Sequence, residues 1–491
     1  MSRSNYKIKP IVAIVGRPNV GKSTLFNRIS GTRLAIVEPT PGVTRDRLYA
    51  ECNWFGTEFI LIDTGGLQFK ENAPFVDEIR HQAEFAIEEA DLIIFAVDGK
   101  SGLNHIDYDI ADMLRHTGKP VTLAVNKVES KKRADDALEF YGLGLGDPYT
   151  VSALHGQDID ILLDRVAELL PKKVIVYDED DDNERLHVAI VGRPNVGKSS
   201  LLNTILSEDR TIVSDVPGTT RDAIDMDFDW ERRAKKDKAG EDDETIKFTF
   251  TDTAGIRRKS KVEEDVEYYS VVRAFSAIDR SDVVIMMVNA IDGVTDQDKR
   301  IAGYAEENGK AMVIAINKWD EALNKKRFEE GLVEKNKQLD SKSRMELLKE
   351  FTEEVRHELI FATWAPIVFI SALKKKGIEE LLSTVYEVSH SSNVRIPSSE
   401  LNRLVTEAHY ERPASRRGRA LKIYYATQVN VNPPTIIFFV NDDELMHFST
   451  VRYFENQLRE RFPLEGTPMR LKVKQSSGRE DAEKKSEKRR K

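Results

Sequence analysis

Gly16-Arg17-Pro18-Asn19-Val20-Gly21-Lys22-Ser23 recurs unchanged at Gly192-Arg193-Pro194-Asn195-Val196-Gly197-Lys198-Ser199. Residues of these types at this spacing can hold a triphosphate. The glycines let main-chain N–H groups turn inward around phosphate oxygens, Lys22 and Lys198 reach the β- and γ-phosphates, and the Ser23 and Ser199 hydroxyls face Mg²⁺. Each octapeptide follows an apolar run (Ile11 to Val15; Val188 to Val191) and precedes a helix-like stretch (Thr24 to Ile29; Ser200 to Leu206). A helix in that place turns its positive end toward the same anion. The spacing therefore predicts two nucleoside triphosphate sites in one chain.

The elements that must position these residues repeat as well. Gly192 follows Gly16, and Thr220 follows Thr44, by the same 176 residues, so a whole domain is duplicated. The offset grows to 189 between Asp63-Thr64-Gly65-Gly66 and Asp252-Thr253-Ala254-Gly255, which assigns 13 extra residues to the charged stretch Glu231 to Glu244. It then runs from 191 at Asn126 and Asn317 to 219 at Ser152 and Ser371, so 28 more residues lie between those motifs, where Asn324 to Lys349 reads as an added helix. Insertions between motifs read as surface excursions. Apolar runs at Phe59 to Ile62, Leu92 to Val97, Val121 to Val125, Phe248 to Phe250, Val283 to Val288, Met312 to Ile316 and Ile367 to Phe369 suit a sheet buried on both faces. They alternate with amphipathic Ile79 to Glu89, Ile106 to Arg115 and Ile159 to Leu169. The expected fold is α/β: two tandem P-loop domains, each a doubly wound, mostly parallel sheet, with ligands beyond the carboxyl ends of the strands.

Asn317-Lys318-Trp319-Asp320 closes one of those strands. A carboxylate at its last position accepts from both N1–H and the N2 amino group of guanine, a donor pair that adenine lacks, and discrimination on that basis is strong. Ser371-Ala372-Leu373 is placed to support the base from the far side. The first copy reads Asn126-Lys127-Val128-Glu129 and Ser152-Ala153-Leu154, with a carboxylate one methylene longer. Either its loop retreats slightly or guanine selectivity is looser there.

Ten ordered motif matches from about Ile8 to about Gln475 make the chain resemble the Der family, bacterial double-Era-type GTPases with two tandem GTPase domains and a C-terminal KH-like domain. The resemblance implies a GTPase acting in assembly of the large ribosomal subunit, with that subunit and its rRNA as partners. Asp63 and Asp252 would hold Mg²⁺ through water, Gly66 and Gly255 would offer an N–H to the γ-phosphate, and the family pattern makes Thr44 and Thr220 the hydroxyls that complete the metal shell. Ras-like enzymes orient the attacking water with a Gln after this motif. Here Leu67 and Ile256 stand, and the resemblance implies K⁺ held by Asn19 and Asn195 in compensation, with slow intrinsic turnover. A GTP-dependent scaffold that hydrolyses poorly is the alternative.

A length of 491 residues, 40% hydrophobic and 32% charged, allows about three domains of soluble type. The expected division is 8–171 and 186–392 for the GTPase domains, 172–185 for an acidic linker around Asp178 to Asp182, 398–475 for the small α+β KH-like domain and 476–491 for a basic tail. One cysteine, Cys52, rules out an intramolecular disulfide, and with no long apolar run the expectation is a monomeric cytoplasmic protein without membrane contact. Ser398 to Lys491 carries 19 basic and 13 acidic residues, net +6, against −15 for the remainder. Helix-like Glu400 to Tyr410 and Val451 to Arg461, with strand-like Leu421 to Thr427, Thr435 to Val440 and Arg470 to Val473, make up that module, which lacks the Gly-x-x-Gly loop of an RNA-gripping KH domain.

Overall fold

A computed structural model of the protein describes residues 6–7, 9–31, 49–66, 84, 88–129, 137–171, 174–175, 185–207, 225–232, 244–251, 266–322, 341–413, 415–416 and 419–476. In the first unit, β1 (Tyr6–Lys7) pairs with β8 (Val174–Ile175) apart from the main sheet. That sheet is built from β2 (Ile11–Val15), β3 (Tyr49–Trp54), β4 (Thr57–Asp63), β5 (Leu92–Asp98), β6 (Val121–Asn126) and β7 (Pro148–Thr150), in the order β3-β4-β2-β5-β6-β7. All neighbours run parallel except β3, which returns antiparallel on β4 at the edge. Helices α1 (Lys22–Ser30), α2 (His105–Arg115) and α3 (Ile159–Leu169) connect them. Every residue of Leu92–Asp98 is buried, as a central parallel strand covered on both faces requires.

The second unit repeats this with β9 (Leu186–Val191), β10 (Met226–Arg232), β11 (Glu244–Thr251), β12 (Val283–Asn289), β13 (Ala311–Asn317) and β14 (Ile367–Phe369), in the corresponding order β10-β11-β9-β12-β13-β14. Its helices are α4 (Lys198–Leu206), the part of α5 (Val266–Asp279) from Arg273 onward, α6 (Asp296–Glu307), α7 (Ser341–Glu358) and α8 (Ile378–Ser392). The edge strands β3 and β10 are absent from the periodicity reading because they are half exposed and mix polar with apolar residues. They also locate the 13-residue insertion. Trp54 pairs with Thr57 across a two-residue turn, whereas Trp230 pairs with Ile246 and the hairpin continues to Arg232 opposite Glu244.

The same unit carries the C-terminal module: α9 (Ser398–Glu411), a short ribbon of β15 (Ser415–Arg416) and β16 (Arg419–Ala420), β17 (Ile423–Asn430), β18 (Thr435–Val440), α10 (Phe448–Arg461) and β19 (Arg470–Gln475). Its sheet runs β17-β18-β19, antiparallel and then parallel, over a core that includes Leu401, Val405, Phe438, Phe454 and Leu458. Two backbone hydrogen bonds and one arginine side chain stitch the module to the second nucleotide domain. Met312 N–H donates to Gly466 O at 2.8 Å, Gly466 N–H donates to Trp364 O at 2.9 Å, and Arg470 donates to the Glu307 carbonyl at the end of α6.

The acidic linker around Asp178 to Asp182 and the tail from Ser477 lie outside the described residues. Among the described residues no helix is long and apolar enough to cross a membrane.

Candidate functional site

Each phosphate-loop motif forms the turn between a central strand and the helix that follows it. Gly21 and Gly197 cap α1 and α4 with left-handed backbone, φ 94° and 104°. A Cβ at these positions would lie 2.4 Å from Asn126 Nδ2 and 2.2 Å from Asn317 Nδ2, so glycine answers both to φ and to the close approach of the asparagine. That asparagine is a tie. Asn126 donates through Nδ2 to Val20 O at 2.8 Å and accepts at Oδ1 from Ala153 N–H at 3.0 Å. Asn317 does the same with Val196 O at 2.8 Å and Ala372 N–H at 3.0 Å. One buried side chain thus joins the phosphate loop to the Ser-Ala loop in each copy.

Lys22 Nζ donates to Gly16 O at 2.6 Å and Arg17 O at 3.1 Å; Lys198 Nζ donates to Gly192 O at 2.7 Å and Arg193 O at 2.8 Å. Both ammonium groups are folded over their own loop, at the place where phosphate oxygens would be gripped. Burial pushes the Lys198 ammonium down to about 8, with Asp298 opposing it. Asn19 and Asn195, both exposed, hold left-handed backbone at φ 66° and 61°, which asparagine tolerates better than most residues. Pro18 and Pro194 are half-buried beside them, and Ser23 and Ser199 are exposed in the first turns of their helices.

Asp63 ends β4, buried, and accepts the Gly65 N–H at 2.9 Å; the Thr64 hydroxyl donates to Ile14 O at 2.6 Å, and Thr64–Gly66 forms a single 3-10 turn. Thr44, Leu67, Thr220, Asp252, Thr253, Ala254, Gly255 and Ile256 lie outside the described residues. Among the described residues no group of three or more His, Cys, Asp or Glu gathers to hold a metal. Hydroxyls at Ser23 and Ser199 and one carboxylate at Asp63 are hard oxygen donors of the kind Mg²⁺ takes when nucleotide phosphates complete its shell.

The base-reading ends differ. Asp320 is paired with Lys374 and accepts from the Ser371 side chain; burial pushes its carboxyl up, but these partners outweigh it and hold it below the usual range. Glu129 faces His155 Nε2 at 3.8 Å, both half exposed. Lys127 and Lys318 share left-handed backbone at φ 68° and 60°. Lys127 bridges Asn19 O and Asp98 Oδ2, the latter at 2.8 Å. Burial alone would push the Asp98 carboxyl up, yet Lys127 and the Lys100 and Ser101 amides hold it down. The corresponding second-copy residue, Asn289, instead donates to Asp292 at 2.7 Å.

Sequence reasoning missed the braces behind these loops. Arg28 of α1 donates to Ala153 O at 2.9 Å and Leu154 O at 2.6 Å, whereas in the second copy Thr204 donates to Ala372 O at 2.8 Å. Helix α7 begins at Ser341 and runs past the expected Lys349 to Glu358, while residues 324–340 of the expected added helix lie outside the described residues, and α7 is more than a surface excursion. Its Phe351 packs edge-on against Trp319 with centroids 5.7 Å apart, and Phe369 closes the cluster at 4.6 Å from Trp319. Val128, buried at the corresponding place, is too small to recruit such a partner, so the signal was the Trp itself.

The chain is similar to known proteins along nearly its full length. Residues 11–127 and 187–318 match the family described as 50S ribosome-binding GTPase, and residues 395–474 match the KH-domain-like C-terminal domain of EngA bacterial GTPase enzymes. GTPase Der of Alkaliphilus oremlandii is 48% identical over 474 residues, covering 96% of this chain and 100% of that protein. GTPase Der of Desulfitobacterium hafniense is 49% identical over 469 residues, covering 95% and 98%. A crystal structure of an Aquifex aeolicus Era variant with GDP and AlF4⁻ matches at 26% identity and TM-score 0.28, covering 43% of this chain and 74% of that one. With two complete nucleotide domains, a matching C-terminal domain and near-half identity along almost the full length, the chain belongs to the GTPase Der family.

Proposed function

We propose that this GTPase acts in assembly of the large ribosomal subunit, with each of its two pockets binding one guanosine nucleotide and Mg²⁺ and switching with its hydrolysis. The observation that carries the reading is the duplicated cradle: in both copies a lysine ammonium lies across the loop carbonyls while an asparagine ties that loop to the base-supporting loop. The subunit enters through the matched family's description as a 50S ribosome-binding GTPase. The large subunit and its rRNA are then the partners, and the cytoplasm is the working compartment of a monomer.

In this reading Lys22 and Lys198 grip the β- and γ-phosphates, Ser23, Thr44 and Asp63 with Ser199, Thr220 and Asp252 surround Mg²⁺, and Gly66 and Gly255 sense the γ-phosphate. Bound Mg²⁺ would supply charge compensation on the phosphates, and a bound K⁺ would add to it as the γ-phosphate leaves. Leu67 and Ile256 can neither polarise nor align a water, so unaided turnover is slow at both sites. The exposed, left-handed Asn19 and Asn195 are the amide oxygens available for a monovalent cation beside the loop. GTP and ATP turnover in K⁺ and in Na⁺, with and without large subunits, tests this. GTP-selective turnover that rises in K⁺, loses that rise in Asn19→Ala plus Asn195→Ala, and responds to the subunit is the expected result. Equal rates in Na⁺ and K⁺ remove the cation assignment, and GTP binding without turnover under any condition leaves the scaffold reading.

A further inference from the structure

The second residue of each phosphate loop is an arginine whose side chain turns away from the cradle, and both copies send it to the same place. Arg17 Nε donates to Asp107 Oδ2 at 3.1 Å, and its terminal nitrogen reaches the Ser101 hydroxyl at 2.6 Å and the Gly102 carbonyl at 3.4 Å. Arg193 lies with Nε 3.8 Å from Asp298 Oδ2 and donates to Asp292 Oδ2 at 2.6 Å. Asp107 and Asp298 are fully buried and sit at the third position of α2 and α6. There each closes a capping box, accepting at Oδ2 from the N–H of Asn104 or Thr295 at 3.0 Å. Burial pushes both carboxyls up, and the arginine opposes it in each case. A helix cap alone needs neither a fully buried charge nor a partner from another loop, and a carboxylate taken wholly out of water is tolerated only when paired.

The main chain of the arginine makes the pairing consequential. Arg17 O and Arg193 O are two of the four carbonyls over which Lys22 and Lys198 lie, and the left-handed Asn19 and Asn195 follow two residues later. A turn of the arginine peptide would redirect both the lysine and the N–H groups that face phosphate. We propose that Asp107 and Asp298 are positioning residues: acting through Arg17 and Arg193, they fix the peptides of each phosphate loop in the orientation that grips the triphosphate. This rests on the two loops being the phosphate cradles, as assigned above.

The test uses the full-length chain and fluorescent GDP, with the second site read in a Lys22→Ala background and the first in a Lys198→Ala background. Asp298→Asn is expected to weaken binding about tenfold at the second site and to leave the first unchanged, and Asp107→Asn does the reverse. Arg193→Ala keeps the capping box and the Arg193 N–H that Asp298 also accepts, so it is expected to weaken binding less than Asp298→Asn, with the double variant no weaker than Asp298→Asn alone, because the aspartate carries the whole linkage. Additive losses, equal weakening at both sites, or a lowered melting temperature with unchanged affinity would overturn the proposal. Should Asp298→Asn fail to fold, Arg17→Ala decides at the first site, where the arginine meets Asp107 through its side chain: unchanged affinity there rejects the linkage. If Lys198→Ala leaves the second site intact, the cradle assignment falls and the proposal with it.

Discussion

The first and second nucleotide domains share a strand order, a left-handed asparagine, a lysine folded over two carbonyls, an asparagine tie and an arginine turned to a buried aspartate, and they differ in the braces behind the base-supporting loops. Arg28 and Thr204 support the Ser-Ala loop from the same helix with different chemistry. Asp98 holds Lys127 as an ion pair where Asn289 turns to Asp292, and Val128 stands where Trp319 anchors an inserted helix. Backbone geometry around the phosphates admits few solutions, because Asn19 and Asn195 hold φ near 60° and a Cβ at Gly21 or Gly197 would fall within 2.2–2.4 Å of the asparagine tie. A brace that must only hold a carbonyl in place can be an arginine fork or a hydroxyl.

The largest expected effect falls on the shared part. Lys22→Ala and Lys198→Ala should each weaken their own site at least 100-fold, about 2.7 kcal/mol, leaving the other site filled, as read by calorimetry. Loss of both sites from either change would break the independence of the two pockets.

The base ends come next. Asp320→Asn should cost the second site about 100-fold in GTP affinity and create a preference for xanthosine nucleotides, because the amide offers a donor where guanine needs an acceptor. Glu129→Gln should cost the first site only about tenfold, since its half-exposed carboxylate already shares itself with His155. Equal losses would mean that the longer carboxylate reads the base as tightly as the shorter one.

At the far ends of α2 and α6 the copies diverge in charge. Arg115, which donates to the Leu143 carbonyl, corresponds to Glu306. Burial, with Glu307 adding to it, pushes the Glu306 carboxyl up from 4.5 to about 7 against the pull of Arg470. The folded chain therefore holds this proton more tightly than the unfolded one. The group's stabilisation is fully present below about pH 4.5 and is lost as pH rises through 7. Glu306→Gln should raise the stability of the second unit at pH 8 by about 2 kcal/mol and flatten its pH profile between 5 and 8 in thermal melts. An unchanged profile would show that the carboxyl stays ordinary.

The smallest effect separates the braces. Arg28→Ala and Thr204→Val should each raise the nucleotide off-rate a few-fold, about 0.5–1 kcal/mol, in stopped-flow release, with Arg28→Ala the larger because two carbonyls lose their donor. No change in either would leave the Ser-Ala loop to the asparagine tie alone.

The central strands, several helices and the order of the cradle motifs were legible because each rests on a local rule: apolar runs for buried parallel strands, and glycine, lysine and serine at fixed spacing for phosphate; α5, α6 and α8 were not read from the sequence. The helix at Ile159–Leu169 and the strand at Thr435–Val440 have the bounds that their patterns give. The edge strands β3 and β10 were not legible, since half-exposed antiparallel strands carry no continuous apolar signal. Neither were Asp107, Asp298, Arg28 and Phe351, whose partners lie tens of residues away or more and whose types alone are ordinary for a helix surface. The backbone role of Asn126 and Asn317 was hidden for a related reason: the motif names them beside the base, while their hydrogen bonds go to two loops.

The most direct measurement is titration of the nucleotide-free full-length chain with GDP in Mg²⁺ and K⁺ by calorimetry. Two equivalents bound, falling to one in Lys22→Ala and one in Lys198→Ala, is the predicted result; a single equivalent in the unsubstituted chain would contradict a working pocket in each half.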